Sequence, residues 1–304
     1  MILSTENSAL APRIGERKAI ELYAKVGFDA IDYGFTPMLE RGEMEWNRNT
    51  FRLYADEVNQ IANDNGIFFN QAHGPMLFHF EFLPDFSKEI LPLNIRSLEC
   101  CSLLGIPHMV VHPIHNIPGI HSYNDLWNIN LEYFNLLLPY AKEFNVKLAL
   151  ENLFRYDKKR GTLTGSFLSN SEEYIRFYEA LNDPFILCLV DTGHCTFTDE
   201  TPGDMIRKLA NRVKGLHIND NLFRTDDHLV PGAGLIDWND VMKALAEINY
   251  TGDMTLEVLW PYRAFDDSFL EPATKYMHDV GRYLIRKFEE FSLTNEKNPG
   301  DEAK

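Results

Sequence analysis

The apolar positions of this chain fall into short continuous runs, separated by longer segments in which they recur every three or four residues. The runs lie near Ile2–Ser4, Ala30–Phe35, Ile67–His73, Met109–His112, Lys147–Asn152, Phe185–Asp191, Val213–Asn219 and Met254–Leu259. Between them, sets such as Ala19, Ile20, Leu22, Tyr23 and Val26, or Leu131, Phe134, Leu137, Leu138 and Ala141, put apolar side chains on one helical face. The runs are mostly continuous rather than alternating, as expected of strands whose two faces are both covered. Several helical segments close on Gly or Asn just before the next run, as in VGFDAIDYG, LGIPHMVVH and FNVKLALEN.

Eight strands alternating with eight helices, with no Pro/Gly/Ser-rich linker, predict a single-domain (β/α)8 TIM barrel. The barrel is expected over residues 1–292, with residues 293–304 as a C-terminal tail that ends NEKNPGDEAK. A doubly wound sheet is the alternative, disfavoured because no GxGxxG follows the first strand.

Composition narrows the class. With 304 residues and 45% hydrophobic content the chain is neither disordered nor fibrous. No apolar run approaches the roughly 18 residues of a membrane span. The opening MILSTENSALAPRIGERK has no cationic stretch leading into an apolar one, so a soluble, cytoplasmic, unexported protein is expected. Cys100, Cys101, Cys188 and Cys195 form no CxxC pair and read as free thiols. A net charge of −16 argues against nucleic acid as the main partner, although a local basic rim can coexist with an acidic body. A homo-oligomer is compatible with a barrel of this size, with no interface identifiable.

The polar residues that end strands three to eight are His73, His112, Glu151, Asp191, His217 and Glu257, separated by 39, 39, 40, 26 and 40 residues. That is close to one β/α unit per step, and in a barrel such positions converge on the C-terminal face, where barrel enzymes build their sites. His, Asp and Glu are ligands of divalent ions such as zinc and manganese. Buried together without a cation, Glu151, Asp191 and Glu257 would repel one another and lose hydration. His194 follows Asp191 by three residues on the same turn, and the loop NLFRTDDHLVPGAGLIDW offers Asp226 and His228. Pro231, Gly232 and Gly234 shape that loop, and Asp237 is placed to cap the helix WNDVMKALAEI.

The ordered series HGP, VVHP, LALEN, LVDTGH, GLHIND, DDHLVPGAGLIDW and TLEV resembles the xylose isomerase-like TIM-barrel superfamily, which holds sugar isomerases and epimerases and also endonuclease IV-type repair enzymes. In the epimerase branch the resemblance implies one divalent ion, manganese or zinc with magnesium or cobalt as alternatives, held by Glu151, Asp191, His217 and Glu257. In the endonuclease branch it implies three zinc ions that also use His73, His112, His194, Asp226 and His228. The opening VGFDAIDYG and the ending GLIDW resemble the isomerase branch. Asn221–Leu222–Phe223 stands where the endonucleases continue differently, and Met76–Leu77 keeps half of their tyrosine–leucine wedge.

The expected activity is therefore isomerisation or epimerisation of a small sugar, sugar phosphate or related polyol. Glu151 and Glu257 would move a proton through a metal-stabilised enediolate. His194 would contact substrate, with Asp157 and Arg224 as weaker candidates. The alternatives are a multinuclear zinc phosphodiesterase acting on abasic DNA, with Arg155, Lys158, Lys159 and Arg160 as its cationic rim, and a metal-dependent dehydratase, lyase or sugar-binding barrel. Phe35, Met76, Phe154, Trp260 and Tyr262 are candidate apolar walls of the pocket.

Overall fold

The computed structural model describes residues 1–35, 48–75, 88, 90–115 and 122–297. Met76 and Leu77 lie outside the described residues, as does the chain beyond Lys297. Five strands come first: β1 Leu3–Glu6, β2 Ala30–Gly34, β3 Phe68–His73, β4 His108–Val111 and β5 Lys147–Glu151. A hairpin follows, of β6 Phe154–Asp157 and β7 Thr162–Gly165, and then β8 Ile186–Asp191, β9 Val213–His217 and β10 Met254–Leu256.

All but the hairpin pair in parallel in the order β10-β1-β2-β3-β4-β5-β8-β9. Ile218 closes the ring by bridging to Leu256, donating its N–H to Thr255 O (2.8 Å) and accepting from Glu257 N (3.1 Å). A helix follows each barrel strand: Glu16–Val26, Arg48–Asp64, Leu91–Leu103, Tyr123–Phe144, Ser171–Leu181, Pro202–Leu209, Trp238–Glu247 and Leu270–Lys297. The eight expected units are thus the eight observed ones. The last helix runs past residue 292 to Lys297.

Local chemistry sets the joints. Asn145 ends its helix in the left-handed conformation (φ 55°) and Gly27 does the same (φ 108°). Asn170, Thr201 and Asp237 cap the starts of the fifth, sixth and seventh helices through their side-chain oxygens. The hairpin is the element that periodicity does not reveal. The segment RYDKKRG lies in a β-ribbon whose turn is tied by Asp157, which accepts from Lys159 N (2.9 Å) and Arg160 N (3.1 Å).

The main apolar core lies between strands and helices, while Val110, Ala149, Leu187 and Leu189 form a small separate cluster. The barrel interior is otherwise polar on the β1–β3 side. Ser4 Oγ donates to Thr255 Oγ1 (2.8 Å), and Asn70 Nδ2 reaches Ser4 Oγ (3.2 Å) and Asp253 Oδ2 (2.9 Å). The β2–β3 register slips between Ile31 and Asp32, which pair with Phe69 and Gln71, leaving Asn70 as an extra residue. Asn70 and Gln71 therefore both reach interior partners, where strict alternation would send one outward.

Tyr174, from the fifth helix, is fully buried against the two strands that carry Glu151 and Asp191. Its hydroxyl accepts from Leu189 N (3.1 Å) and reaches the carbonyls of Leu189 (3.0 Å) and Leu150. Removing it leaves a buried strand amide without its acceptor. Tyr174→Phe should cost about 1–3 kcal/mol, read as a lower urea midpoint at unchanged slope. An unchanged midpoint would show that the hydroxyl does not hold these strands.

Candidate metal centre

The C-terminal ends of the strands gather a set of buried ionisable groups. Glu151 ends β5 and is 1% exposed; its Oε1 accepts from His217 Nδ1 (2.6 Å) and its Oε2 lies 2.6 Å from His112 Nε2. Glu257, just past β10, has Oε2 at 3.5 Å from the same His217 nitrogen and Oε1 at 3.5 Å from His73 Nε2. His73 and His217 stack with ring centroids 4.3 Å apart and an interplanar angle of 11°. His73, Glu151, His217 and Glu257 each offer a donor atom within 4.8 Å of the others'.

Asp191 lies alongside this group. It shares with Glu151 and His194 a second set of donors within 4.8 Å. Its Oδ1 caps the short helix Thr192–Cys195 by accepting from His194 N (2.7 Å), and its Oδ2 accepts from Asn219 Nδ2 (2.7 Å). Gly193 is required there, because a Cβ would stand 2.0 Å from Asn219 Oδ1. His194 Nδ1 donates to Asn152 O (2.8 Å), so Nε2 is the nitrogen turned toward Asp226 Oδ1, 3.8 Å away. Phe154 packs edge-on to the His194 ring at 4.8 Å.

The loop after β9 returns Asp226 and His228 to the site. Asp220, fully buried, holds it: Oδ2 accepts from Gly232 N (2.8 Å), Gly234 N (3.1 Å) and Trp238 Nε1 (2.9 Å), and Oδ1 from Ile236 N (3.1 Å). His228 sits in the left-handed conformation (φ 47°), donates Nδ1–H to Glu257 O (3.0 Å) and meets Asp226 Oδ2 through Nε2 (2.8 Å).

Of the residues expected from sequence, His73, His112, Glu151, Asp191, His194, His217, Asp226, His228 and Glu257 are brought together. Asp157 and Arg224 are not. The Asp157 carboxylate is taken up by its own hairpin turn, and Arg224 is exposed on the loop after β9. Among the aromatic candidates, Phe154 meets the site; Phe35 is buried against Tyr33, and Tyr262 is buried with its hydroxyl on Thr274 Oγ1 (2.9 Å). Trp260 is 45% exposed and packs on Phe265.

Sequence reasoning missed the inner residues of the first two strands, Glu6 and Asp32, and Gln71 inside β3. Extending the strand-end comparison to strands one and two finds the first pair; Gln71 needs the bulge, which no periodicity signals.

Burial opposes ionisation of Glu151, but His217 and His112 outweigh it and hold the carboxyl well below the usual range. Glu257 goes the other way: burial pushes it up to about 8, against His217, His228 and His73. Burial disfavours charged imidazole, yet Asp32 lifts His73 to about 9 and Asp226 lifts His228 to about 10. Glu257 Oε2 and Asp226 Oδ1 are buried with no hydrogen-bond partner. Buried, unpartnered carboxylate oxygens beside imidazoles fit a divalent cation, which would replace the protons that now balance the charge.

Fold and site together describe a barrel with a cluster of carboxylates and imidazoles, a candidate metal centre, at its C-terminal mouth. The chain belongs to the xylose isomerase-like TIM barrel family, whose profile matches residues 20–284. It is 32% identical over 256 residues to the D-psicose 3-epimerase of Enterocloster bolteae, covering 79% of this chain and 76% of the relative. The structure of D-psicose 3-epimerase from Clostridium cellulolyticum H10 with D-tagatose superposes with a TM-score of 0.73 at 19% identity, covering 94% of this chain and 99% of that one. The IolI protein with a bound zinc atom superposes with a TM-score of 0.74 at 17% identity, covering 95% and 99%. Among the described residues no helix is long and apolar enough to cross a membrane.

A divalent ion bound here should stabilise the fold, by about 2.7 kcal/mol at a free concentration near 100 times Kd. Because Glu257 and the histidines must give up protons to bind it, the rise in Tm with zinc or manganese should be larger at pH 8 than at pH 6. A Tm unmoved by either ion at pH 8 would contradict the centre.

Proposed function

We propose that this chain is a divalent-metal-dependent epimerase or isomerase of a small sugar, sugar phosphate or related polyol. One observation carries the reading: Glu151 and Glu257, from strands three positions apart around the barrel, converge on one nitrogen of His217 at 2.6 and 3.5 Å. Similarity to a D-psicose 3-epimerase over most of the chain supports it.

Glu151, Asp191, His217 and Glu257 would hold the ion, with His73 within reach of the same position. Mixed carboxylate and imidazole donors suit manganese, zinc or cobalt. When bound, such an ion supplies a Lewis acid that polarises a substrate carbonyl. The protein's own groups do the rest. One glutamate carboxylate takes the proton from the carbon beside the carbonyl, and the other delivers a proton to the opposite face, which inverts that carbon. His194, its Nδ1 fixed on Asn152 O, presents Nε2 for a substrate hydroxyl, and Phe154 shields that side from water.

The second donor group, Glu151, Asp191 and His194 with Asp226 and His228 nearby, favours the multinuclear phosphodiesterase as a second reading. The exposed cations Arg155, Lys158, Lys159 and Arg160 on the β6–β7 hairpin would be its contact surface. A dehydratase shares the first proton transfer and then diverges: a neighbouring hydroxyl takes up a proton and leaves as water, in place of reprotonation of the carbon.

Glu151→Gln and Glu257→Gln should each lower turnover of a ketohexose by about two to four orders of magnitude, with solvent deuterium no longer entering the substrate carbon. A variant with near-parental kcat and deuterium exchange would remove the proposed roles. Cleavage of abasic DNA with no action on any ketose would favour the second reading instead.

A further inference from the structure

We propose that the N-terminal end of the barrel holds a second binding site, for a phosphoryl group presented as free phosphate or as the ester of a small molecule. The inference is independent of the metal reading above. A cavity of about 360 Å³ opens there, within the roughly 300–1,000 Å³ of small-ligand sites. His108, Lys147, Tyr178, Leu187, Arg212 and Lys214 are among the residues that line it. His108 and Lys147 begin β4 and β5, Leu187 is the second residue of β8, and Arg212 and Lys214 flank the first residue of β9. These are four consecutive strands of the ring, entered at the end opposite to Glu151 and Asp191.

The charge of this lining runs against that of the chain. Aspartate and glutamate outnumber lysine and arginine by 45 to 29 overall, yet Lys147, Arg212 and Lys214 meet at one cavity. Two acids nearby are already engaged. Glu179 Oε1 accepts from Arg212 Nη2 (2.8 Å), and Asp183, next to the lining residue Pro184, pairs with Lys142 (2.5 Å) and accepts from Phe185 N (3.0 Å). Among the described residues neither Lys147 nor Lys214 has an ion-pair partner. Cations gathered around one concavity repel one another and raise the local concentration of anions.

The remaining groups narrow the ligand. Burial pushes His108 down to about 4, so this ring is uncharged, and its Nε2 donates to Gln71 Oε1 (3.1 Å). Recognition of the anion therefore falls to two ammonium groups and a guanidinium, which suit the several oxygens of a phosphate. Free phosphate would fill only part of the volume, and Tyr178 and Leu187 offer apolar surface to the organic part of an ester. A ligand here is not the substrate, because barrel enzymes carry out their chemistry at the opposite face.

The test is calorimetric titration with inorganic phosphate and with glycerol 3-phosphate, which has no carbonyl for the centre to act on. The proteins are the parent, Lys147→Met, Lys214→Met and, as a control at the other end of the barrel, Glu151→Gln. Both lysines are exposed, so their replacement by methionine keeps the alkyl stem and leaves the core alone. Each lysine variant should bind about 3- to 10-fold more weakly than the parent, while Glu151→Gln should bind as the parent does. Tighter binding of the ester than of phosphate would assign the site to a phosphorylated metabolite, and equal affinity would assign it to free phosphate. A parent that binds neither, lysine variants that bind as well as the parent, or a loss of binding in Glu151→Gln would overturn the proposal and leave the metal reading untouched.

Discussion

Glu151 is a carboxylate that has lost its water. It is buried with His112, His194 and His217 on one side and with Asp191 and Glu257 close by, and much of the surrounding structure can be understood as answering that charge. Burying several carboxylates in one small volume is unfavourable unless each is paired. Without a cation the pairing is shared out unevenly: Glu151 keeps its charge because two imidazoles face it, while Glu257 is pushed toward its neutral form. A site balanced by movable protons is one that a divalent ion can enter by displacing them.

The fold meets this constraint with rigid parts. Parallel strands deliver Glu151, Asp191, His217 and Glu257 to one end of the barrel. Tyr174 ties the strands of the first two together, and Ile218 closes the ring between the last two. The loop that brings Asp226 and His228 back is not rigid by its own secondary structure. Its conformation is imposed by one buried aspartate, Asp220, which satisfies amides from Gly232 to Ile236 and the Trp238 indole. Carboxylates thus have two separate tasks in this region, to face the centre (Glu151, Glu257) and to hold the chain around it (Asp220).

Much of this was legible in the sequence because the barrel converts regular spacing along the chain into proximity in space. Steps near 40 residues between His73, His112, Glu151 and Asp191 place each at the end of consecutive barrel strands. What spacing does not carry is which oxygen faces which neighbour. Asp191 reads from sequence as an equal of His217 and Glu257, yet much of its hydrogen-bonding capacity serves a helix cap and Asn219. Asp157 and Arg224 lie close in sequence to site residues but on a hairpin and an exposed loop. The hairpin itself escapes periodicity because its strands are short and mostly polar. Gln71 escapes for another reason: a one-residue bulge in its strand, invisible to pattern, decides which way it faces.

The central claim is that these buried donors form one centre for a divalent ion that serves sugar chemistry. Elemental analysis of the parent and of Glu151→Gln after saturation with zinc or manganese and removal of free ion tests it most directly. The account predicts about one ion per parent chain and essentially none in the variant, because Glu151 belongs to both donor groups. A parent that retains no ion, or a variant that retains it as well as the parent, would contradict the centre, and about three ions per chain would contradict its assignment to sugar epimerisation.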